Sequence, residues 1–274
     1  MTQALGAARV RDVLDRHGVR PSRALGQNFV IDPNTVRKVV GAADLDGSQR
    51  VLEIGAGVGS LTVALAGASA HVVAVEVDRR LIAVLQETLA GHSNVDVVHA
   101  DALREDLSAF AATKVVANLP YNIATPLVLR LLADVPSVDE LTVMTQREVG
   151  ERLAAGPGSR VYGQASVMVA YHARASVAAS VSRRAFYPVP RVDSVVTRIT
   201  RRTRTVSVDL EDLRATVRAA FGQRRKTLRN ALAPLAGSSE AAEDALRRAG
   251  VDPRRRAEHL DLDGFAAIAR ALAP

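Results

Sequence analysis

The chain has 274 residues, enough to bury a sizeable core and to form one larger domain plus a smaller one. Its 48% hydrophobic and 24% charged content is that of a globular protein and excludes a disordered one. The net charge of +7 asks for an acidic partner, with nucleic acid the first choice, while the absence of cysteine excludes disulfides, thiolate metal sites and a cysteine nucleophile. No stretch reads as a membrane span, the start lacks an apolar signal core, and the expected setting is a monomeric cytoplasmic protein. No metal-ligand cluster is evident, and the six histidines are scattered.

In chain order, 7–17 has helical spacing (Val10, Val13, Leu14) and stops at Gly18. Leu25-Gly26-Gln27-Asn28-Phe29-Val30 follows, either a wall over a ligand or an arm that packs Phe29 into the core. Asp32 with Pro33 then marks a helix start. Residues 50–54 read as a buried strand running into Gly55-Ala56-Gly57-Val58-Gly59 and a helix over 60–66. That glycine spacing departs from the dinucleotide fingerprint, and Glu53 suits a ligand with a cationic sulfonium and an amino-acid tail better than a pyrophosphate.

A strand over 71–75 ends in Glu76, at the distance where a carboxylate meets ribose hydroxyls; an unpaired acid at a buried strand end is otherwise costly. Asp78 caps the next helix, 79–90. The strand 95–100 leads to Asp101, which suits the amine of an adenine ring or N-caps a helix. The apolar run 115–117 delivers Asn118-Leu119-Pro120-Tyr121. There the Asn118 oxygen and the Leu119 carbonyl can accept from a flat exocyclic amine, Pro120 keeps Leu119 out of a helix, and Tyr121 offers a stacking face. An ordinary strand exit with a stop proline is the competing interpretation. Polar groups at four successive strand ends, Glu53, Glu76, Asp101 and Asn118, would share one crevice in a doubly wound sheet.

Further along, the pattern gives a helix over 126–133, a strand over 141–145, an amphipathic stretch over 147–154, and strands over 167–172 and 195–200. Between the last two lies the rigid loop Ala185-Phe186-Tyr187-Pro188-Val189-Pro190, whose Phe186 could be a second wall for a base opposite Tyr121 or a loop anchor. From residue 209 the pattern is purely helical (209–221, 223–235, 238–249, 258–272), which sets a boundary near 202–208 and divides the chain into 1–205, with an arm over 1–31, and 206–274. Residues 183–230 hold thirteen Lys or Arg against four acids, with Arg224, Arg225, Lys226 and Arg229 at one helix start and a second cluster at Arg254-Arg255-Arg256. Such clusters suit RNA phosphates.

Five motifs together carry a resemblance: Leu25 to Phe29, Glu53 to Gly59, Asn118 to Tyr121, Phe186 to Pro190 with Val192-Asp193-Ser194, and Phe221 to Asn230. The chain resembles, over nearly its whole length, the ribosomal RNA adenine dimethyltransferases. The resemblance implies an α/β, Rossmann-like S-adenosylmethionine-dependent methyltransferase sheet with a small all-α C-terminal domain. It implies that Asn28, Val30, Gly55, Glu76, Asp101 and Asn118 line the cofactor site, joined by Glu53 and Gly57 of the glycine loop. It further implies that Asn118, Leu119, Tyr121 and Phe186 hold the target adenine. The Gln223 to Asn230 stretch favours the housekeeping branch, which dimethylates two adjacent adenosines in a hairpin loop near the 3′ end of small-subunit rRNA, as free RNA or within the immature subunit, over the antibiotic-resistance enzymes of large-subunit rRNA. Ser182-Arg183-Arg184 departs from the family's proline-containing approach to Phe186. A non-catalytic assembly factor would share the basic patches but would not need Asn118 to Tyr121, and a DNA adenine methyltransferase would leave the helical domain unexplained.

Overall fold

The computed structural model describes residues 4–203, 206–223 and 225–273. In chain order the elements are α1 (Ala7–Arg16), β1 (Phe29–Val30), α2 (Pro33–Ala42), β2 (Arg50–Ile54), α3 (Ser60–Ala66), β3 (His71–Glu76), α4 (Arg79–Thr88), β4 (Val95–His99), β5 (Lys114–Asn118), α5 (Ala124–Asp134), β6 (Glu140–Gln146), α6 (Arg147–Leu153), α7 (Gln164–His172), β7 (Ala173–Val181), β8 (Phe186–Tyr187), β9 (Ser194–Arg201), α8 (Leu210–Gly222), α9 (Leu228–Ala236), α10 (Ser239–Arg248) and α11 (Leu262–Leu272).

Seven strands form one sheet in the order β4-β3-β2-β5-β6-β9-β7. The pairs β4–β3, β3–β2, β2–β5 and β5–β6 are parallel, whereas β9 runs antiparallel to β6. This is the expected α/β sheet, and its inner strands are apolar on both faces because helices cover both. Val51, Leu52, Val72, Val73, Val115 and Val116 are all buried. The chain turns back between β2 and β5, and the crevice beyond the carboxyl ends of those strands is where such sheets hold ligands.

Local signals explain the element starts. The Asp32 side chain accepts from the amides of Asn34 and Thr35 and opens α2, with Pro33 at the first helical position. Asp78 accepts from the Arg80 amide and opens α4. Gly57 has φ +62°, and a Cβ there would come within 2.9 Å of the Phe29 ring, so only glycine lets the loop after β2 lie against the arm.

The chain divides into two compact units, 1–151 with 175–201, and 152–174 with 202–274. The helical unit therefore takes 152–174 as well as the C-terminal stretch, where the sequence pattern put a single boundary near 206. Within it, Val167-Met168-Val169, expected as a strand, belongs to helix α7. An apolar run of this length fits a buried helix as well as a strand. Val167 and Tyr171 pack with Leu213, Val217, Phe221, Leu246 and Phe265 in one core. The Phe221 ring centroid lies 5.8 Å from that of Tyr162 and 5.7 Å from that of Phe265.

Three further differences appear. β7 is an edge strand of small, mostly exposed residues with no hydrophobic alternation to announce it. Phe29–Val30 pairs antiparallel with Phe186–Tyr187, so the arm and the proline loop make a two-stranded ribbon. Finally, α9 begins at Leu228, which leaves Arg225 and Lys226 in the preceding loop.

Candidate active site

One cleft gathers residues from the arm and from the ends of four adjacent strands. It is lined by Gln27, Asn28 and Phe29 of the arm, Gly55 and Gly57 after β2, Glu76 and Val77 at the end of β3, Asp101 after β4, and Asn118 to Tyr121 after β5. Among the expected cofactor residues, Asn28, Gly55, Gly57, Glu76, Asp101 and Asn118 thus share one space. Val30 and Glu53 border a smaller recess behind it, together with Gly55, Gly57, Ser60 and Asn118.

The carboxylates differ in a way that separates structure from site. Glu140, buried at the opposite end of the sheet, is met by Arg198 at 2.6 Å, Thr200 at 3.1 Å and Lys114 at 3.4 Å. Glu53 and Glu76 are equally buried and have no cation beside them among the described residues. Glu76 accepts from the Gly57 amide at 2.8 Å and from the Asp78 amide at 2.9 Å. Burial nevertheless raises its pKa above the ordinary carboxylate value. Glu53 is pushed up to about 8 by burial, with the neighbouring Glu76 charge adding to it. Its Oε2 and the Ser60 hydroxyl are buried without a hydrogen-bond partner. Orphaned acceptors in a small recess are costly unless a donor fills it. An ammonium group is the natural complement.

Asp101 has two tasks. Its Oδ1 accepts from the Leu103 amide at 3.0 Å, the turn-capping role, while the residue also lines the cleft. The cap closes a turn over 102–104, where the competing expectation was the start of a helix. Val77, which the sequence analysis passed over, lines the cleft and is 46% exposed. It follows Glu76 at the strand end, and an apolar side chain left open beside a polar ligand site is a wall for a flat ring.

At the Asn118 end, its Nδ2 donates to the Asn28 carbonyl at 3.1 Å, and Asn28 Nδ2 in turn donates to the Gly26 carbonyl at 3.1 Å. The Leu119 amide donates to Met144 at 3.0 Å, whereas its carbonyl takes no hydrogen bond among the described residues. Tyr121 Oη lies 3.2 Å from Ser194 Oγ, which fixes the ring on the cleft wall. Gln27 Nε2 donates to Asp78 at 2.9 Å and ties the arm to the start of α4. The Arg80 guanidinium at 2.6 Å, followed by the Gln27 amide, lowers Asp78 to about 2.

Phe186 is corrected. It is fully buried in a cluster with Val30, Val36, Val39 and Val196, held by the β1–β8 pairing, and it does not line the cleft. Its other reading, the loop anchor, describes its position. Among the expected RNA contacts, Arg225 and Lys226 are exposed, while Arg224 lies outside the described residues. Arg229 is ion-paired with Glu243 at 2.9 Å and Glu240 at 3.3 Å, so its charge is compensated within the helical unit.

The residues present fit S-adenosylmethionine. Glu76 offers acceptors for ribose hydroxyls, the glycine turn admits close approach, and the Glu53 recess complements an amino-acid tail. Among the described residues no group of three potential ligands could hold a metal, and no helix is long and apolar enough to cross a membrane.

Comparisons with known proteins agree with this geometry. The family model for ribosomal RNA adenine dimethylases matches residues 19–273. A ribosomal RNA small subunit methyltransferase A from Kineococcus radiotolerans is 50% identical, covering 98% of this chain and 92% of the relative. That of Thermobifida fusca is 50% identical over 97% and 95%. Among solved structures, a dimethyladenosine transferase from Plasmodium falciparum has a TM-score of 0.77 at 24% identity, covering 88% of this chain and 95% of that one. The 23S rRNA methyltransferase ErmE has a TM-score of 0.68 at 29% identity, over 89% and 99%. The chain belongs to the ribosomal RNA adenine dimethylase family.

Proposed function

We propose that this protein transfers methyl groups from S-adenosylmethionine to the exocyclic amines of two adjacent adenosines in the hairpin loop near the 3′ end of small-subunit rRNA, acting on the immature subunit as a cytoplasmic monomer. The observation that carries the reading is the commitment of Asn118 Nδ2 to the Asn28 carbonyl, because it leaves Oδ1, an acceptor only, for the target amine. The unpaired Leu119 carbonyl is a second acceptor one residue away.

An adenine amine is a poor nucleophile because its lone pair is delocalised into the ring. Two acceptors for its two hydrogens favour a more tetrahedral nitrogen with the lone pair free. S-adenosylmethionine, when bound, supplies an electrophilic methyl group. Glu76 and Asp101 would hold the nucleoside end of the cofactor, and Glu53 with Asn28 and Val30 the amino-acid end. Tyr121 offers the face on which the flipped adenine stacks, which offsets the cost of leaving its own stack. The proton lost from the amine passes to water, so this chain's part is positioning and electrostatics, with no obligatory general base. Arg225 and Lys226 take RNA phosphates.

The branch follows from the relatives: 50% identity over almost the full chain to small-subunit enzymes, against 29% to the large-subunit enzyme. The test is transfer of labelled methyl groups to unmethylated small subunits, with mature large subunits and duplex DNA in parallel. Dimethyladenosine from the small subunit alone is expected. Label in large-subunit RNA would move the protein to the resistance type, and tight binding without transfer would make it an assembly factor.

A further inference from the structure

A second cleft lies in the sheet unit beside the first. Gln146, Arg147, Glu148, Glu151, Arg183, Arg191, Val192 and Asp193 line it. It adjoins the Tyr121 wall through a short chain of contacts. Tyr121 Oη meets Ser194 Oγ, and Ser194 is paired with Gln146 across β6 and β9. The next backbone bond, from the Arg147 amide to the Asp193 carbonyl at 3.0 Å, closes the floor of the second cleft.

The acids there are already engaged. Asp193 accepts from the Arg183 amide at 3.0 Å and pairs with Arg147 at 3.6 Å, and Glu151 pairs with the same Arg147 at 3.7 Å. Glu148 also has a partner. Arg147 is therefore compensated, and the uncompensated charge is that of its neighbours. Arg183, Arg184 and Arg191 are exposed, and none is ion-paired among the described residues. The Arg183 guanidinium donates to the Arg191 carbonyl at 3.3 Å, which holds the two segments of the rim together. Between these cations the loop exposes Val189, at 59%, and Val192, at 45%. Bare valines between free arginines are a poor choice for a surface that meets only water. The combination suits a single strand, whose phosphates need cations and whose unstacked bases need apolar faces.

We propose that the rim formed by Arg183, Arg184 and Arg191, with Val189 and Val192 between them, grips the single-stranded RNA that flanks the target adenosine. The proposal rests on the RNA methyltransferase reading and adds to it a binding site distinct from the cations of the helical unit. Both Arg184 and Arg191 are exposed with unbonded side chains, so substituting them leaves the fold intact.

The test compares Arg184→Glu/Arg191→Glu with Arg37→Glu/Lys38→Glu, which makes the same change in net charge on the exposed side of α2. Binding of unmethylated small subunits is measured across a salt series, alongside kcat and KM for methyl transfer and the Kd for S-adenosylmethionine. For the loop variant, affinity is expected to fall at least about tenfold, and the slope of log Kd against log salt to drop by about 1.5, the loss of two single-strand phosphate contacts. KM should rise in step, with kcat and cofactor affinity within about threefold of wild type. Equal losses in the two variants would overturn the proposal, as would an unchanged salt slope in the loop variant. If the wild-type protein transfers no label to small subunits, the enzymatic reading fails, and the binding ratio of the two variants still decides the site.

Discussion

Asn118 Nδ2 donates to the Asn28 carbonyl at 3.1 Å, so the arm decides which way the Asn118 amide faces. A terminal amide has two nearly isosteric ends, and only the oxygen can accept from an amine. Asn118→Ala should lower kcat by at least about 10²-fold, in line with the loss of a preorganised electrostatic contact, while cofactor affinity falls much less. Single-turnover methyl transfer and calorimetric titration separate the two. Equal loss of both would assign Asn118 a structural role.

Glu53 makes stability depend on pH in the direction opposite to a salt-bridged acid. Its folded pKa of about 8 lies above the ordinary 4.5, so between those values the folded protein holds a proton that the unfolded chain has released. Stability of the ligand-free protein should therefore decline as pH rises from about 4.5 to about 8 and then level off. Glu53→Gln should flatten that decline and raise Tm at pH 8.5; each recovered ~2 kcal/mol corresponds to roughly 4–8 °C for a chain of this size. The same variant should bind S-adenosylmethionine more weakly. A pH profile of Tm identical to wild type would refute the assignment.

Tyr121 separates ring from hydroxyl. Tyr121→Phe removes only the contact with Ser194 Oγ and should keep activity within a few fold, whereas Tyr121→Ala removes the stacking face. The latter should cost about 10–100-fold in kcat/KM, the equivalent of one base–aromatic stack at 1–3 kcal/mol.

Phe186 should behave as a core residue. Phe186→Ala is expected to destabilise the protein by about 3–5 kcal/mol, seen as a fall in Tm, because the ring is fully buried against Val30 and Val196. A variant that melts normally yet loses RNA substrate would restore the second-wall role.

In the helical unit, Arg225→Ala/Lys226→Ala should weaken RNA binding with a shallower salt dependence and leave Tm unchanged. Arg229→Ala should do less to RNA and slightly lower Tm, by under ~1 kcal/mol, since it breaks partly exposed pairs with Glu240 and Glu243. The opposite ranking in filter binding would contradict the compensation of Arg229.

The cleft was legible because its residues break a strong rule. β2, β3 and β5 have apolar centres, and Glu53, Glu76 and Asn118 are the polar groups at or next to their carboxyl ends. Strand ends recur in sequence at readable intervals, and a parallel sheet brings them to one side. Elements without such contrast stayed hidden. α7 is apolar all round, so period could not separate helix from strand. β7 is mostly alanine and serine, and β1 and β8 are two residues each. The burial of Phe186 depends on that ribbon, a pairing across about 150 residues that no local pattern encodes. Arg229 looked free because its acids lie 11 and 14 positions downstream, on another helix.

The division of the chain into 1–151 with 175–201 and 152–174 with 202–274 has a practical corollary. The helical unit is sewn to the sheet unit at three points in the chain, and α7 is a stitch made in mid-sequence. Cutting after residue 201 would strip Val167 and Tyr171 of Leu213, Phe221 and Phe265, baring apolar side chains on the fragment that remains. Such a fragment should aggregate, whereas one that also replaces 152–174 with a short polar loop should stay in solution. Exchange of helical units between relatives therefore requires two coordinated grafts, and a simple swap of tails would fail.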